Sequence, residues 1–344
     1  MPHVRPGSRL SRRPSLAFIQ FSRPIKVWTL AAVVLVSAVA AIEGGRSASS
    51  IAGTVRIPQS PLAPSLPASV VPPNSPGELA AKVTSASAVF ALPSRIYPSM
   101  ADREQLNVAN QRSCIEIGAV TVRPDNCTFG DPSAKKTMWL IGDSHAGQWF
   151  YALDAYARAR GYRLTVHAKA SCVPQTPNAS TQLYPECAGM NRYWNRQVSA
   201  ARPDVVVVGA FQSVARKALP NLLQKLPALA AKTRKLVIIG DTPRQSGDVA
   251  ACVDRNQRDY STCVVKTSKA YYPWVGRSLA DLANASSKIN YIDTRNWFCT
   301  ESTCPPVVDS ILVYRDQNHL SGYAAVWLTN VMAGALDAAI SPRG

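Results

Sequence analysis

Two short stretches carry side chains that could do covalent chemistry together. In Gly142-Asp143-Ser144-His145 a hydroxyl follows the apolar run Met138 to Ile141, and a helical pattern follows in turn. A buried strand, a tight turn and a helix start would leave Ser144 at the carboxyl end of a strand, its oxygen exposed and its own N–H facing whatever that oxygen attacks. That is a position for a nucleophile. Far down the chain, Asp316 precedes His319 by three residues, so one loop can set a carboxylate against an imidazole. A serine nucleophile needs such a base, and the base needs a third group that holds its tautomer and stabilises the imidazolium. The implied chemistry is attack on an acyl carbonyl by Ser144, with His319 as base and Asp316 as its orienting acid.

Each stretch also has a plainer reading. Asp143 and Ser144 fit a helix N-cap, and Ser321 fits the cap of the last helix. His145 reads as structural, pointing away from its neighbour's chemistry, and His167 as a satisfied core or loop histidine. Trp149, Leu153, Tyr156 and Arg160 recur at helical spacing, as a core-facing stripe does.

The elements that must hold these residues follow from alternation. Strand-like runs at 138–141, 162–167, 204–209, 235–240 and 289–293 are separated by helical stretches near 146–160, 189–200, 214–232 and 267–284, with a last helix at about 321–340. This implies an α/β three-layer sandwich with a central parallel sheet. Ligands of such sheets bind beyond the carboxyl ends of the strands. Ser144, Ala170-Ser171, Gly209 to Gln212 and Asp241 all follow predicted strands directly, so four loops converge on one edge. Asp241-Thr242-Pro243 fits either a substrate contact or a tight turn.

With these stretches in order, the chain resembles the SGNH (GDSL-like) hydrolase superfamily, and more narrowly the extracytoplasmic SGNH domain of acyltransferase 3 family membrane proteins. The resemblance rests on LIGDSHAGQ at 140–148, AKASCVP at 168–174, CAGMNRYWN at 187–195, PDVVVVGAF at 203–211, LVIIGDTPR at 236–244, WFCTESTCPP at 297–306 and VYRDQNHLSGYAA at 313–325. It implies the SGNH (flavodoxin-like) arrangement, with Ser144 as nucleophile, His319 as base and Asp316 as acid. The wider superfamily completes its oxyanion hole with a Gly and a Gly-x-Asn. Here those places hold Ala170-Ser171 and Gly209-Ala210-Phe211-Gln212, with no Asn at 211, a departure shared by the acyltransferase 3 domains. The expected oxyanion donors are the N–H of Ser144, then that of Ser171, then Gln212.

The first 26 of the 344 residues carry Arg5, Arg9, Arg12, Arg13, Arg23 and Lys26 and no acid, and Val27 to Ile42 is uncharged and apolar. This reads as an export signal with a cytoplasmic basic flank. Ala38-Val39-Ala40 fits a cleavage site, whereas Ile25 to Ile42 is long enough to span a bilayer. The product is a single-pass protein of the cell membrane with an extracytoplasmic domain, or a secreted one if the segment is cut. Residues 43–84, with Pro58, Pro61, Pro64, Pro67, Pro72, Pro73 and Pro76, read as an extended linker. At about 3 Å per residue it would reach roughly 100 Å. Residues 85–134 read as a lead-in packed on the domain, and 135–344 as the catalytic domain.

The eight cysteines form four near-neighbour pairs: Cys114 and Cys127, Cys172 and Cys187, Cys252 and Cys263, Cys299 and Cys304. Sequence alone fixes no connectivity. Local disulfides are the expectation, because each pair flanks a predicted loop and the compartment is oxidising. They would staple the loop holding Ser171 and the one leading to Asp316. A zinc site is the rival, and the spacings do not suit it. No cofactor or metal is called for.

Net charge is +17. The exported part has no compact basic run, so an acidic envelope glycan or lipid headgroup fits better than nucleic acid. The functional expectation is an SGNH-type serine esterase or O-acyltransferase handling short, acetyl-like acyl groups on cell-envelope glycans. With one hydrophobic segment, a transferase would need a separate membrane acyl donor of the acyltransferase 3 type. The alternative is a non-catalytic glycan-binding or scaffold protein that kept the fold.

Overall fold

Apolar runs make the strands, and the alternation within each run decides which layer each side chain meets. The computed structural model describes residues 55–117, 126–176 and 184–341. The strands in chain order are β1 (Ile115–Glu116), β2 (Thr128–Gly130), β3 (Lys136–Gly142), β4 (Tyr162–Lys169), β5 (Val205–Gly209), β6 (Lys235–Ile239), β7 (Val265–Lys266), β8 (Ile289–Ile292), β9 (Thr303–Cys304), β10 (Val307–Val308) and β11 (Ile311–Leu312). The central sheet runs β4-β3-β5-β6-β8, all parallel. The two ends of β4's outer edge are covered by β1, parallel, and β2, antiparallel. The pairs β7–β9 and β10–β11 are small antiparallel ladders.

Both faces of the sheet are buried, as continuous apolar strands require. Met138 and Leu140 of β3, Val205 and Val207 of β5, and Val237 and Ile239 of β6 point into one core, shared with the helices Phe150–Arg160, Gly322–Trp327 and Thr329–Ile340. Trp139 and Ile141, Val206 and Val208, and Leu236 and Ile238 point into the other, against the helices Glu186–Ala201, Gln212–Ala230 and Pro273–Asn284. The expected mostly parallel α/β sheet is present. Within the expected helical stretch 267–284 the chain breaks at Tyr271-Tyr272, ahead of Pro273, and the last helix is divided at Leu328.

The proline-rich stretch departs from the free linker read in the sequence. From Val55 onward it is strapped onto the domain. Ile57 and Val70 are buried, and the Ile57 N–H donates to Asn330 Oδ1 at 3.1 Å. Ser60 donates to Asp154 Oδ2 at 2.5 Å. Ser75 then caps a helix, Pro76–Ala86, whose Leu79 and Val83 are buried. Prolines favour an extended chain with no helical or strand period, yet such a chain can still seat isolated apolar residues in a groove. The basic flank and the apolar segment 27–42 lie outside the described residues. Among the described residues no helix is long and apolar enough to cross a membrane.

Asp154 anchors this strap. It is wholly buried; its Oδ1 accepts the Gly130 N–H at 2.7 Å, and its Oδ2 also accepts Arg158 Nε at 2.9 Å. Asp154→Ala would leave a buried N–H and a buried hydroxyl unpaired. We expect a destabilisation of about 3 kcal/mol in urea denaturation, with partial recovery in Asp154→Asn. A loss below about 0.5 kcal/mol would show that the strap does not depend on this carboxylate.

Candidate active site

The site begins where backbones approach too closely for side chains. Gly142 ends β3 at φ 135°, and a Cβ there would lie 2.0 Å from the Gly209 carbonyl oxygen. A Cβ on Gly209 would lie 2.6 Å from Ala146 Cα. Glycine at both positions lets the ends of β3 and β5 close on the short helix Ser144–Gly147. Asp143 caps that helix, its Oδ1 accepting the His145 N–H at 2.9 Å and its Oδ2 the Phe211 N–H at 2.8 Å. Burial lifts its carboxyl to about 6.

Ser144 and the distant loop meet here. Ser144 Oγ lies 2.8 Å from His319 Nε2, and His319 Nδ1 lies 2.8 Å from Asp316 Oδ2. Asp316 Oδ1 accepts the backbone N–H groups of Asn318 and His319 at 2.9 and 2.8 Å. The loop is pinned beside the short helix of Ser144, since the Leu320 N–H donates to Gln148 Oε1 at 2.9 Å. Ser321 caps the following helix by accepting from the Ala324 N–H. Capping and assembly of the site are therefore two roles of the same loops. Burial opposes ionisation of Asp316, but the His319 and backbone hydrogen bonds outweigh it and hold the carboxyl well below its usual range. Burial, with the charge of His145 beside it, lowers the pKa of His319 and favours the neutral imidazole.

His145 does not point away from the site, contrary to expectation. It is buried, its Nδ1 lies 2.6 Å from Asp241 Oδ1, and its ring stacks on Phe211 and lies 4.6 Å from the ring of His319. Burial disfavours the imidazolium, yet the Asp241 carboxylate outweighs it and raises the pKa. Asp241 Oδ2 accepts the Gln212 N–H at 2.7 Å, and Thr242 Oγ1 donates to the Asn318 carbonyl at 2.6 Å. The Asp241 turn is thus a buried support for three loops. Sequence reading marked Asp241 but missed its partner; the matching carboxyl ends of β3, β5 and β6 were the available signal. His167, on β4, lies 3.1 Å from the Tyr193 hydroxyl, as a satisfied histidine should.

The expected oxyanion donors divide. No acceptor in the chain is paired with the N–H of Ser144 or of Ser171 among the described residues. Ser171 has φ 63°, a left-handed conformation that favours glycine, and Cys172 beside it is bonded to Cys187. Gln212 is a correction. Its amide Nε2 donates to the carbonyls of Thr242 and Ala270 at 2.9 and 3.2 Å, its Oε1 accepts the Tyr272 N–H, and its backbone N–H is held by Asp241. Every donor on Gln212 is committed to the fold, so none is left for an oxyanion.

All eight cysteines are in disulfides, paired as the neighbour spacing suggested: Cys114–Cys127, Cys172–Cys187, Cys252–Cys263 and Cys299–Cys304. The last closes the turn ahead of the Asp316 loop.

A parallel α/β sheet with serine, histidine and aspartate gathered at the carboxyl edge is compatible with the class of SGNH-type serine esterases and O-acyltransferases, among other serine hydrolase folds. Within that class, the chain belongs to the family of SGNH domains fused to AT3 domains, whose family model matches residues 113–334. No curated protein matches the chain. Among solved structures it is similar to the periplasmic domain of the lipopolysaccharide acetyltransferase of Salmonella ser. Paratyphi A, at 18% identity over 68% of this chain and 89% of that one, with a TM-score of 0.46. It is also similar to a catalytic mutant of the acetylxylan esterase Axe2 from Geobacillus stearothermophilus, at 12% identity over 61% and 96% of the two chains, with a TM-score of 0.30.

The two neighbouring imidazoles, tilted to each other with centroids 4.6 Å apart, generate a test. His319 should titrate below the ordinary value of about 6.5 when followed by ring-proton NMR. His145→Phe keeps a ring against Phe211 but removes a cation and leaves Asp241 unneutralised. Both effects favour protonated His319, so its midpoint should rise. An unmoved midpoint would mean that His319 does not feel the buried pair.

Proposed function

We propose that this chain is an extracytoplasmic serine acyl-ester enzyme that transfers or hydrolyses short, acetyl-like acyl groups on cell-envelope glycans. The observation that carries the reading is the unbroken chain of hydrogen bonds Ser144 Oγ to His319 Nε2 and His319 Nδ1 to Asp316. Ser144 Oγ attacks the acyl carbonyl as His319 takes its proton, and the imidazolium is stabilised by Asp316. The N–H groups of Ser144 and Ser171 are the donors we assign to the tetrahedral oxyanion. His319 returns the proton to the leaving oxygen, and water or a sugar hydroxyl resolves the acyl-enzyme. The four disulfides support an oxidising compartment. The fusion of the family's domains to AT3 domains supports a membrane acyl donor as partner.

The full chain should hydrolyse a short aryl acetate and be labelled at Ser144 by a fluorophosphonate. Ser144→Ala should abolish labelling, and Ser144→Ala or His319→Ala should each lower kcat/KM by about 1,000-fold or more. Labelling with very slow hydrolysis that a glycan acceptor accelerates would mark a transferase. No labelling at Ser144 would overturn the reading and favour a glycan-binding role.

A further inference from the structure

A small pocket opens beside Ser144, between the loop that carries Arg315 and Leu320 and the lead-in residues Gln105 and Asn110. Two of its lining side chains, Gln148 and Arg315, carry incompletely matched donors. Gln148 is 8% exposed; its Oε1 is fixed by the Leu320 N–H, while its Nε2 is buried without an acceptor. Arg315 has a side chain 19% exposed, and its backbone is held by the His319 carbonyl at 3.0 Å. Its nearest carboxylate is Asp316, whose Oδ2 stands 3.6 Å from Arg315 Nε but already accepts from His319 Nδ1 at 2.8 Å. Glu104, the other acid within electrostatic reach, is largely exposed and lies 3.3 Å from Arg103. The guanidinium is thus half-sequestered and incompletely neutralised, and it stays charged because arginine does not deprotonate in proteins. A planar fork of N–H groups in that condition complements a carboxylate or a phosphate.

We propose that this pocket binds an anionic group of the substrate, a carboxylate or phosphate near the ester attacked by Ser144, through the Arg315 guanidinium and the Gln148 amide N–H. The inference rests on the reading of Ser144 as an acyl-ester nucleophile. The anion has two chemical sources. It can end the acyl group, as in the half-ester of a dicarboxylic acid, or it can sit on the sugar, as in an acetylated uronic acid. Gln105 and Asn110 precede the stretch matched by the family model, 113–334. This wall is therefore built by the chain's own lead-in.

The test compares kcat/KM of the full chain on an aryl acetate and an aryl hemisuccinate, and on an acetylated glucuronic acid and its neutral acetylated glucose counterpart. At least one anionic member should exceed its neutral partner. Arg315→Gln should lower that anionic-to-neutral ratio by about 10- to 100-fold, and Arg315→Lys should retain part of it. The first pair would place the anion on the acyl group and the second on the sugar. Equal rates within both pairs, or a ratio that survives Arg315→Gln, would overturn the proposal. NMR titration with succinate and with inorganic phosphate separates this result from the parent reading. If no ester is turned over but either anion shifts the Gln148 side-chain resonances in wild type and not in Arg315→Gln, the anion site stands and the esterase reading falls. No shift with either anion, where no ester is turned over, removes the site.

Discussion

The carboxyl edge that carries Ser144 depends on the buried pair of His145 and Asp241. One carboxylate oxygen meets the imidazole that follows Ser144, and the other takes the N–H that starts the helix after β5. The neighbouring Thr242 hydroxyl holds the carbonyl of Asn318, next to His319. Three loops from distant parts of the chain are thus fastened at one point beneath Ser144. Such support holds the partly buried His319 ring at 2.8 Å from Ser144 Oγ. The pair also sets the electrostatics, since the charge it favours on His145 helps keep His319 neutral.

The parts of this arrangement that obey a period or a fixed spacing were legible in the sequence. The apolar runs gave β3, β4, β5, β6 and β8 nearly to their ends, and the three-residue spacing of Asp316 and His319 put both on one loop. What escaped depends on contacts between runs. The place of Gln212 after β5 suits an oxyanion donor, but its amide closes a gap between the Thr242, Ala270 and Tyr272 backbones, which no local pattern announces. His145 and Asp241 stand 96 residues apart and meet only because the strands that carry them end at the same level. The proline-rich strap is hard to see in the sequence for a related reason. It binds through single residues such as Ile57 and Ser60, with no repeat to betray them.

Covalent closure complements these polar contacts. Cys172–Cys187 fastens the chain next to Ser171 to the start of the helix Glu186–Ala201, and Cys114–Cys127 joins the two short strands that cover the edge of β4. A left-handed serine has a backbone preference for relaxing, and a neighbouring cross-link restricts the ways it can do so. Other irregular backbone near the site is held by capping side chains, Asp143 and Ser321.

Gly142 and Gly209 separate two kinds of information that the sequence motif joins. Their missing side chains are demanded by the crossing of backbones alone, whatever chemistry takes place above them. A descendant of this chain that had lost catalysis would be free to change Ser144, yet it would keep both glycines for as long as it kept the sheet. In a comparison of diverging descendants, then, glycine at these two places would testify to ancestry of the fold, and only serine at the third would testify to retained chemistry.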